Sequence, residues 1–365
     1  MKFLLAGNLA NHAYFLAKLL RKNDFKTDLL IGKNLHITED PKALDKDLID
    51  YPEWIKFYDT RESNWHLNII KTMRKYDLIQ SSTELPIFSY LSRKRNIAFT
   101  TGADVVKLAN ERSVKGFLMN RSYKKSKIVI FPSPYLYKYV KKQKIKKSIF
   151  LPLLWDYKKF QINNIPNKNE TFTIFHPTNH VWNYKKNHKF LKAFVKLANE
   201  NKNIKLIMIK RGPDVNQSIK ILEGCITKNQ VEILPETLPQ SELVNYYNKA
   251  DVVVDQFGVG STGLIGQEVM ASGKPLMQYI DNELYEKFYS EKPPILNALT
   301  EEEIYTKLSE IINDPSLGKT IGEKSQTWIL KHHNHENIIK KYIYLYNSIN
   351  DNIKFEKIKE ELHSF

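Results

Sequence analysis

Cysteine is nearly absent. Cys225 stands alone among 365 residues, so no internal disulfide can form and no thiolate metal cage can be assembled. That usage fits a reducing compartment, and Cys225 reads as a buried thiol. Long apolar runs are missing as well. Nowhere do 18 apolar residues follow one another, which excludes a membrane-spanning helix, and Met1-Lys2-Phe3-Leu4-Leu5-Ala6-Gly7 meets Asn8 too soon for a signal-peptide core. A cytoplasmic location is expected. No Pro/Gly-rich or low-complexity block interrupts the chain, and its length suits two domains of ordinary size. Helix-turn-helix, zinc and aromatic RNA-binding signatures are lacking, so nucleic acid is not an expected partner.

Positive charge, in contrast, is abundant: Lys+Arg 56 against Asp+Glu 40 gives a formal charge of +16, which favours polyanionic or phosphate-bearing company. The basic residues gather in Arg93-Lys94-Arg95, Lys124-Lys125-Ser126-Lys127 and the run Tyr135 to Lys147, mostly in the amino half. That run reads as a basic helix carrying Tyr and Leu, suited to an anionic membrane surface; a solvated helix face is the alternative.

Hydrophobic periodicity sets the architecture. Lys2 to Ala6 is a short apolar run ending in Gly7; Leu9, Ala13, Leu16, Ala17 and Leu20 follow at helical spacing, and Thr27 to Ile31 is extended again. Strands at Asp77–Gln80, Asn96–Thr100, Lys127–Phe131 and Ser148–Leu151 alternate with helical patterns at Asn64–Lys75 and Asp104–Arg121. Residues 161–170 are polar without apolar period, as in a linker. A second series begins beyond it, with strands at Thr171–His176, Lys205–Ile209, Val231–Leu234, Asp251–Gln256 and Pro275–Ile280. From Thr300 the pattern is helical, opened by the capping box Thr300 and Glu303. The expectation is α/β: two Rossmann-like doubly wound domains, 1–160 and 171–335, with a helical segment 336–365 packing back on the first domain. Ligands of such sheets bind at the carboxyl ends of strands, so a central cleft between the halves is the expected site.

The most informative segment runs from Ala250 to Pro275. An apolar strand enters the turn Gly258-Val259-Gly260-Ser261-Thr262-Gly263, and a helix is expected from about Ser261. Glycines let backbone N–H groups approach an anion, and a helix N-terminus adds about half a positive charge, so this turn can hold a diphosphate. Glu268, expected about two turns into the helix, can accept hydrogen bonds from vicinal ribose hydroxyls; the alternative is a packing turn with Glu268 solvated. Gly258-x-Gly260-x-x-Gly263 followed by Asp281 also spells a dinucleotide fingerprint. Almost only helices are expected beyond Asp281, too little for a dinucleotide-binding half, so a nicotinamide enzyme is a minor alternative.

These residues resemble the C-terminal domain of retaining GT-B glycosyltransferases, specifically the glycosyltransferase 4 family that uses nucleotide sugars. Glu268-Val269-Met270-Ala271-Ser272-Gly273-Lys274-Pro275 is similar to that family's glutamate-led motif, and the Asp255-Gln256 pair fits before it. His176-Pro177-Thr178-Asn179-His180-Val181-Trp182-Asn183-Tyr184-Lys185-Lys186-Asn187 is similar to the loop that carries its basic diphosphate clamp. Gly7-Asn8-Leu9-Ala10-Asn11-His12, Thr101-Gly102-Ala103-Asp104 and Phe150-Leu151-Pro152 match more weakly. The resemblance implies catalytic roles for Lys186, Glu268 and His12. It implies donor contacts at Thr178, Asn179, His180, Lys185, Lys186, Gly260, Ser261, Thr262, Gly263 and Glu268, and acceptor contacts at Gly7, Asn8, His12, Gly102 and Asp104. Two residues depart from it: Gly260 stands where a second glutamate is usual, and the arginine preceding the clamp lysine is absent, with His180 or Lys185 in its stead.

Chemically, a sugar leaving a nucleoside diphosphate needs stabilisation of the charge building on the diphosphate, which a lysine and a helix N-terminus supply. No Asp-x-Asp motif sits in a suitable loop, so no cofactor and no divalent metal are expected, and the donor, a UDP- or GDP-sugar, is substrate. His332-His333-Asn334-His335 reads as a solvated helix end, since no carboxylate or cysteine lies at ligand spacing. His12 is either a cleft-facing group or a capping or surface histidine. The expected function is metal-independent hexosyl transfer from a nucleotide sugar to a glycan or lipid-linked acceptor, in cell-surface glycan synthesis, peripheral on the inner face of the membrane. A non-catalytic basic binding protein and a GT-B sugar-nucleotide epimerase remain as alternatives.

Overall fold

Short apolar strands buried along their whole length require helices on both faces of a sheet. In the computed structural model, which describes residues 1–36, 39–45, 48–161, 171–225 and 227–364, they build two parallel sheets. Thirteen strands form them: β1 (Phe3–Ala6), β2 (Thr27–Gly32), β3 (Ile55–Tyr58), β4 (Leu78–Ser82), β5 (Arg95–Phe99), β6 (Ile128–Phe131), β7 (Ser148–Phe150), β8 (Phe172–His176), β9 (Ile204–Ile209), β10 (Val231–Leu234), β11 (Val252–Val254), β12 (Leu276–Gln278) and β13 (Leu296–Asn297). The chain divides into two units, Met1–Trp155 with His333–Phe365, and Asp156–His332. Residues 162–170 of the expected linker lie outside the described residues.

The first unit holds seven strands in the order β3-β2-β1-β4-β5-β6-β7, with Phe3 registered between Thr27 and Leu78. β3 escapes the sequence pattern because its burial is incomplete and it has no apolar period. The core joins β1 to the helix His12–Lys22 and to the helix His335–Asn350: Tyr346 packs on Phe3 with ring centroids 4.4 Å apart and donates from Oη to Gln80 Oε1 at 2.8 Å. Arg95 donates to the Asn350 carbonyl at 3.0 Å, tying the end of the helix His335–Asn350 to the first residue of β5.

The expected helix Asp104–Arg121 is instead broken into Ala103–Val106, a single 3-10 turn at Leu108–Asn110, and Val114–Lys125. Asp104 Oδ1 accepts from the amides of Thr101, Gly102 and Val105, which closes a tight turn, and Ser113 caps a new helix by accepting from Gly116 N at 3.0 Å. The basic run 135–147 is likewise divided: the helix ends at Lys142, Lys144 is left-handed at φ 56°, and Leu136 and Val140 are buried. Its lysines are exposed, and Lys138 and Lys141 lie over the half-buried rings of Tyr139 and Tyr137.

The second unit holds six strands in the order β10-β9-β8-β11-β12-β13. Its core is built from Phe190, Phe194, Leu206, Met208, Val252, Val254 and the helix Glu301–Asn313, whose N-terminus carries the capping box of Thr300 and Glu303. Cys225 is half-buried rather than enclosed. In both sheets the winding reverses at one place, between β1 and β4 and between β8 and β11, and the gap that reversal leaves above the carboxyl ends is where this topology accepts a ligand.

Candidate functional site

In the second unit two segments meet at that gap. The loop following β8 is fastened through His176: its Nδ1 bonds the Val254 carbonyl at 2.8 Å, and Asn187 Nδ2 reaches Nε2 at 3.2 Å while Asn187 Oδ1 accepts from Val181 N. Asp214 accepts from Trp182 N at 2.7 Å. The loop is then pinned to the glycine turn, because Phe257 N donates to the Lys185 carbonyl at 2.7 Å. Gly258 lies so close that a Cβ there would stand 2.1 Å from the Tyr184 carbonyl oxygen and 3.0 Å from Lys186 Cγ. Lys185 and Lys186 are thereby held beside Gly258–Gly263. Lys186 is left-handed at φ 56°, and Lys185 Nζ bonds the buried Thr178 hydroxyl.

The glycine turn is not an open cradle of amides. Gln256 Oε1 accepts from Gly258 N and Val259 N at 3.0 and 2.7 Å, and its Nε2 donates to the Ser261 carbonyl. Tyr285 Oη accepts from Thr262 N at 2.8 Å and bonds the hydroxyls of Thr262 and Ser261. Gly260, at φ +77°, bridges to Ile280, and a Cβ at this position would lie only 3.3 Å from the Tyr279 ring. This pairing keeps the chain extended, so the helix begins at Leu264, not at Ser261, and Glu268 sits little more than one turn inside it. Gly263 carries no side-chain cap, which leaves the first-turn amides to face an anion. Asp281, the would-be ribose acid of the dinucleotide fingerprint, caps the helix Asn282–Tyr289 instead.

Glu268 is buried rather than solvated. Its Oε2 accepts from Tyr247 Oη at 2.9 Å, and burial, with buried Asp255 nearby, pushes its carboxyl up to about 8. Tyr247 comes from the helix Gln240–Lys249, and no sequence motif marks it. Arg211, directly after β9, donates to Asn179 Oδ1 and to the Pro177 carbonyl at 3.3 Å. Burial lowers it, and Glu236 and Tyr247 lie within electrostatic reach. An arginine closing an apolar strand before Gly212-Pro213 was the available signal. His180 is buried, and burial with Lys185 beside it pushes the imidazole down to about 4, so it brings no cation to replace the missing arginine.

In the first unit the corresponding loop is neutral. Gly7, at φ +88°, approaches so closely that a Cβ would lie 2.5 Å from Ser82 Oγ. Asn8 and Asn11 are buried; Asn8 Nδ2 donates to Asn11 Oδ1 and to the Glu39 carbonyl, and its Oδ1 accepts from Tyr14 N. His12 is neither a surface nor a capping residue: it is buried, stacks on Phe99 at 4.4 Å, and its Nδ1 bonds the Leu154 carbonyl at 3.0 Å. Burial pushes it down to about 4, and Nε2 has no hydrogen-bond partner among the described residues. Gly102 takes φ +120°, a conformation open to glycine, and the Asp104 carboxylate is taken up by its own turn. The histidines near 333 are not a solvated end. His333 and His335 are buried against the Leu153 and Trp155 carbonyls, and His332 meets Glu291. Among the described residues no three potential ligands gather to hold a metal ion, and no helix is long and apolar enough to cross a membrane.

Comparison with known proteins bears on this arrangement. Residues 158–328, which contain both pinned segments, match the family described as glycosyl transferases group 1. These residues are a glycosyltransferase domain. Anabaena HepE in complex with UDP and glucose is similar with a TM-score of 0.74 at 14% identity, covering 95% of this chain and all of that one. Sucrose-phosphate synthase from Thermosynechococcus elongatus follows at 0.70 and 16%, over 96% and 100% of the two chains. A UDP-N-acetylglucosamine 2-epimerase from Listeria monocytogenes, so named in its structure, reaches 0.62 at 9% over 97% of each. No curated protein matches the chain. The fold is GT-B. At Gly260 a side chain would be disfavoured twice, by the left-handed backbone and by crowding of its Cβ against the Tyr279 ring beside the bridge to Ile280.

Proposed function

We propose that the chain transfers a hexosyl group from a nucleoside-diphosphate sugar, UDP- or GDP-linked, to a glycan or lipid-linked acceptor in cell-surface glycan synthesis. The observation that carries this reading is the pinning of Lys185 and Lys186 to the glycine turn, through the Phe257–Lys185 backbone bond and the close packing of Gly258 on Tyr184 and Lys186, in the turn that leads to the uncapped helix start at Gly263–Leu264. Both supply positive potential to one place, as a leaving diphosphate requires. As the bond from the anomeric carbon to the diphosphate breaks, its electron pair stays on the leaving group; Lys186 and the helix amides stabilise that charge. The acceptor hydroxyl forms the new bond to the anomeric carbon and gives its proton to an oxygen of the leaving diphosphate. Glu268 holds the ribose hydroxyls and Tyr247 orients its carboxyl. Thr178, Asn179, His180, Ser261, Thr262 and Gly260 shape the donor pocket. Gly7, Asn8, Gly102 and Asp104 shape the acceptor loops together with His12, whose Nε2 is buried without a hydrogen-bond partner among the described residues. The reaction proceeds with retention and without metal, in the cytoplasm, on an enzyme peripheral to the membrane.

The test is a thermal-shift panel with UDP, GDP, CDP and dinucleotides, followed by turnover with and without EDTA and NMR of the product anomer. Stabilisation by one nucleoside diphosphate and EDTA-resistant retention support the reading. Stabilisation by oligonucleotides alone overturns it in favour of a basic binding protein. A second reading, a sugar-nucleotide epimerase, draws support from the Listeria likeness; it predicts a changed sugar still on its nucleotide, with no acceptor consumed.

A further inference from the structure

The helix Val114–Lys125 of the first unit, tied through Lys115 to Glu84 just beyond β4, presents a face that nothing among the described residues covers. Val114 and Phe117, 78% and 66% exposed, stand on its first turn. At about 100° per residue, positions 114, 117, 118, 121, 124 and 125 fall within one sector of about 120°. The two apolar side chains and half-buried Leu118 therefore share a stripe with exposed Arg121, Lys124 and Lys125, while Gly116, Met119, Ser122 and Tyr123 are buried on the other side. The helix contains no acid, exposed Arg112 precedes it, and Lys115, off the stripe, is paired with Glu84. Beside the first turn lies an open groove of about 540 Å³ whose lining includes Arg112, Val114, Phe117 and Asn120.

An exposed aromatic and an exposed β-branched residue on one turn, continued by cations without an acid, match the layered chemistry of an anionic bilayer surface: acyl boundary beneath, phosphates above. We propose that this stripe docks the chain on an anionic lipid surface, Val114 and Phe117 entering the boundary and Arg112, Arg121, Lys124 and Lys125 meeting headgroup phosphates. The inference rests on the membrane-surface part of the reading above but is independent of the transfer reaction, and it moves the contact away from the Lys141–Lys147 run, which offers charge without an exposed apolar face. It also changes the expected salt response. Purely electrostatic attachment is screened within about 8 Å at physiological ionic strength, whereas an inserted phenylalanine is not.

The experiment is sedimentation of the full chain with phosphatidylglycerol or phosphatidylcholine vesicles, at about 0.1 and about 1 M salt. Binding to phosphatidylglycerol that largely survives high salt is expected. The double variant V114S/F117S should lose about tenfold in the high-salt bound fraction and become salt-sensitive. R121Q/K124Q/K125Q should weaken low-salt binding, and glutamine at Lys141, Lys142, Lys144, Lys146 and Lys147 should change it less than about twofold. All of these side chains are exposed, so each variant should keep its melting temperature. Absence of vesicle binding, capture of an acidic protein without vesicle binding, an unaffected V114S/F117S variant, or loss confined to the five-lysine variant would each overturn the proposal. A chain that ignores nucleoside diphosphates yet binds vesicles fails the transfer reading and leaves this one standing.

Discussion

The two switch points use the same topology for opposite electrostatics. Above β1 and β4, the residues in place are glycine, asparagines spent on their neighbours, and a histidine held neutral by burial and bonded through Nδ1 alone. Above β8 and β11, two lysines are held against the glycine turn that leads to an uncapped helix start, an arginine ties Pro177 and Asn179, and the helix carries a buried acid. The sheet's winding decides where a ligand enters, and the charge placed there decides its class. A neutral, prepacked loop suits hydroxyl groups; a cationic one suits a diphosphate.

The most severe way to break that contrast is to remove the charge. On the proposed reading, Lys186→Ala lowers turnover about 100- to 1000-fold, the range for losing one electrostatic stabiliser, with donor affinity changed far less. His12→Gln should leave donor affinity unaltered; if it weakens donor binding as much as Glu268→Ala does, the division of labour between the units is wrong.

Steric substitution sharpens the comparison next. Gly258→Ala drives a methyl into the Tyr184 carbonyl, and Gly7→Ala drives one against Ser82 on a left-handed residue. Each should cost about 1 to 3 kcal/mol in urea unfolding, but only Gly258→Ala should also abolish the UDP- or GDP-induced thermal shift. Equal effects on the shift would show that the pinned turn is not the donor site. Glu268→Ala comes third, weakening nucleotide binding by about 1 to 3 kcal/mol by calorimetry, as loss of a hydrogen-bonded carboxyl predicts. Unchanged affinity in the folded variant removes it from the ribose role.

The smallest effects are read from pH. Glu268 has its folded value raised to about 8, so its contribution is complete below the ordinary carboxyl range and is lost as pH rises through 8. Between about pH 6.5 and 8 the wild type should lose stability with a slope of up to about 1.4 kcal/mol per unit that levels off above 8, and Glu268→Gln should flatten it. His12, lowered to about 4, acts oppositely: the unfolded imidazole takes a proton first, so stability falls as pH drops from 6.5 toward 4. His12→Phe should reduce that acid loss, leaving the part due to His176 and His180, both also lowered by burial. An alkaline slope untouched by Glu268→Gln would mean that the carboxyl ionises freely.

Much of this architecture is legible in the order of residues. Alternation of apolar runs and helical periods announces two doubly wound sheets, since strands covered on both faces must be apolar throughout. Thr300 and Glu303 announce their capping box because both partners lie within four residues. The glycine turn, Glu268 and the lysine loop stand out by type and spacing. Less legible are features created by long-range pairing. Gly260 bridges Ile280 and delays the helix to Leu264, and Asp104 folds its own amides into a turn that splits a helix whose periodicity looks continuous. His333 and His335 look solvated in the sequence because the carbonyls that bury them lie 180 residues away.

What the sequence alone determined is therefore local or periodic: strands, helices, glycine turns and the sign of the charge, all set by each residue's own chemistry and its near neighbours. Only the tertiary structure decided which polar groups are spent and which stay available. Gln256 consumes the amides of Gly258 and Val259, Tyr247 claims Glu268, and Arg211 arrives at Asn179 from another strand, while Val114 and Phe117 are left uncovered. Hydrogen bonding and burial are saturable and depend on what packs alongside, so partners far apart in the chain become known only when the sheet brings them together.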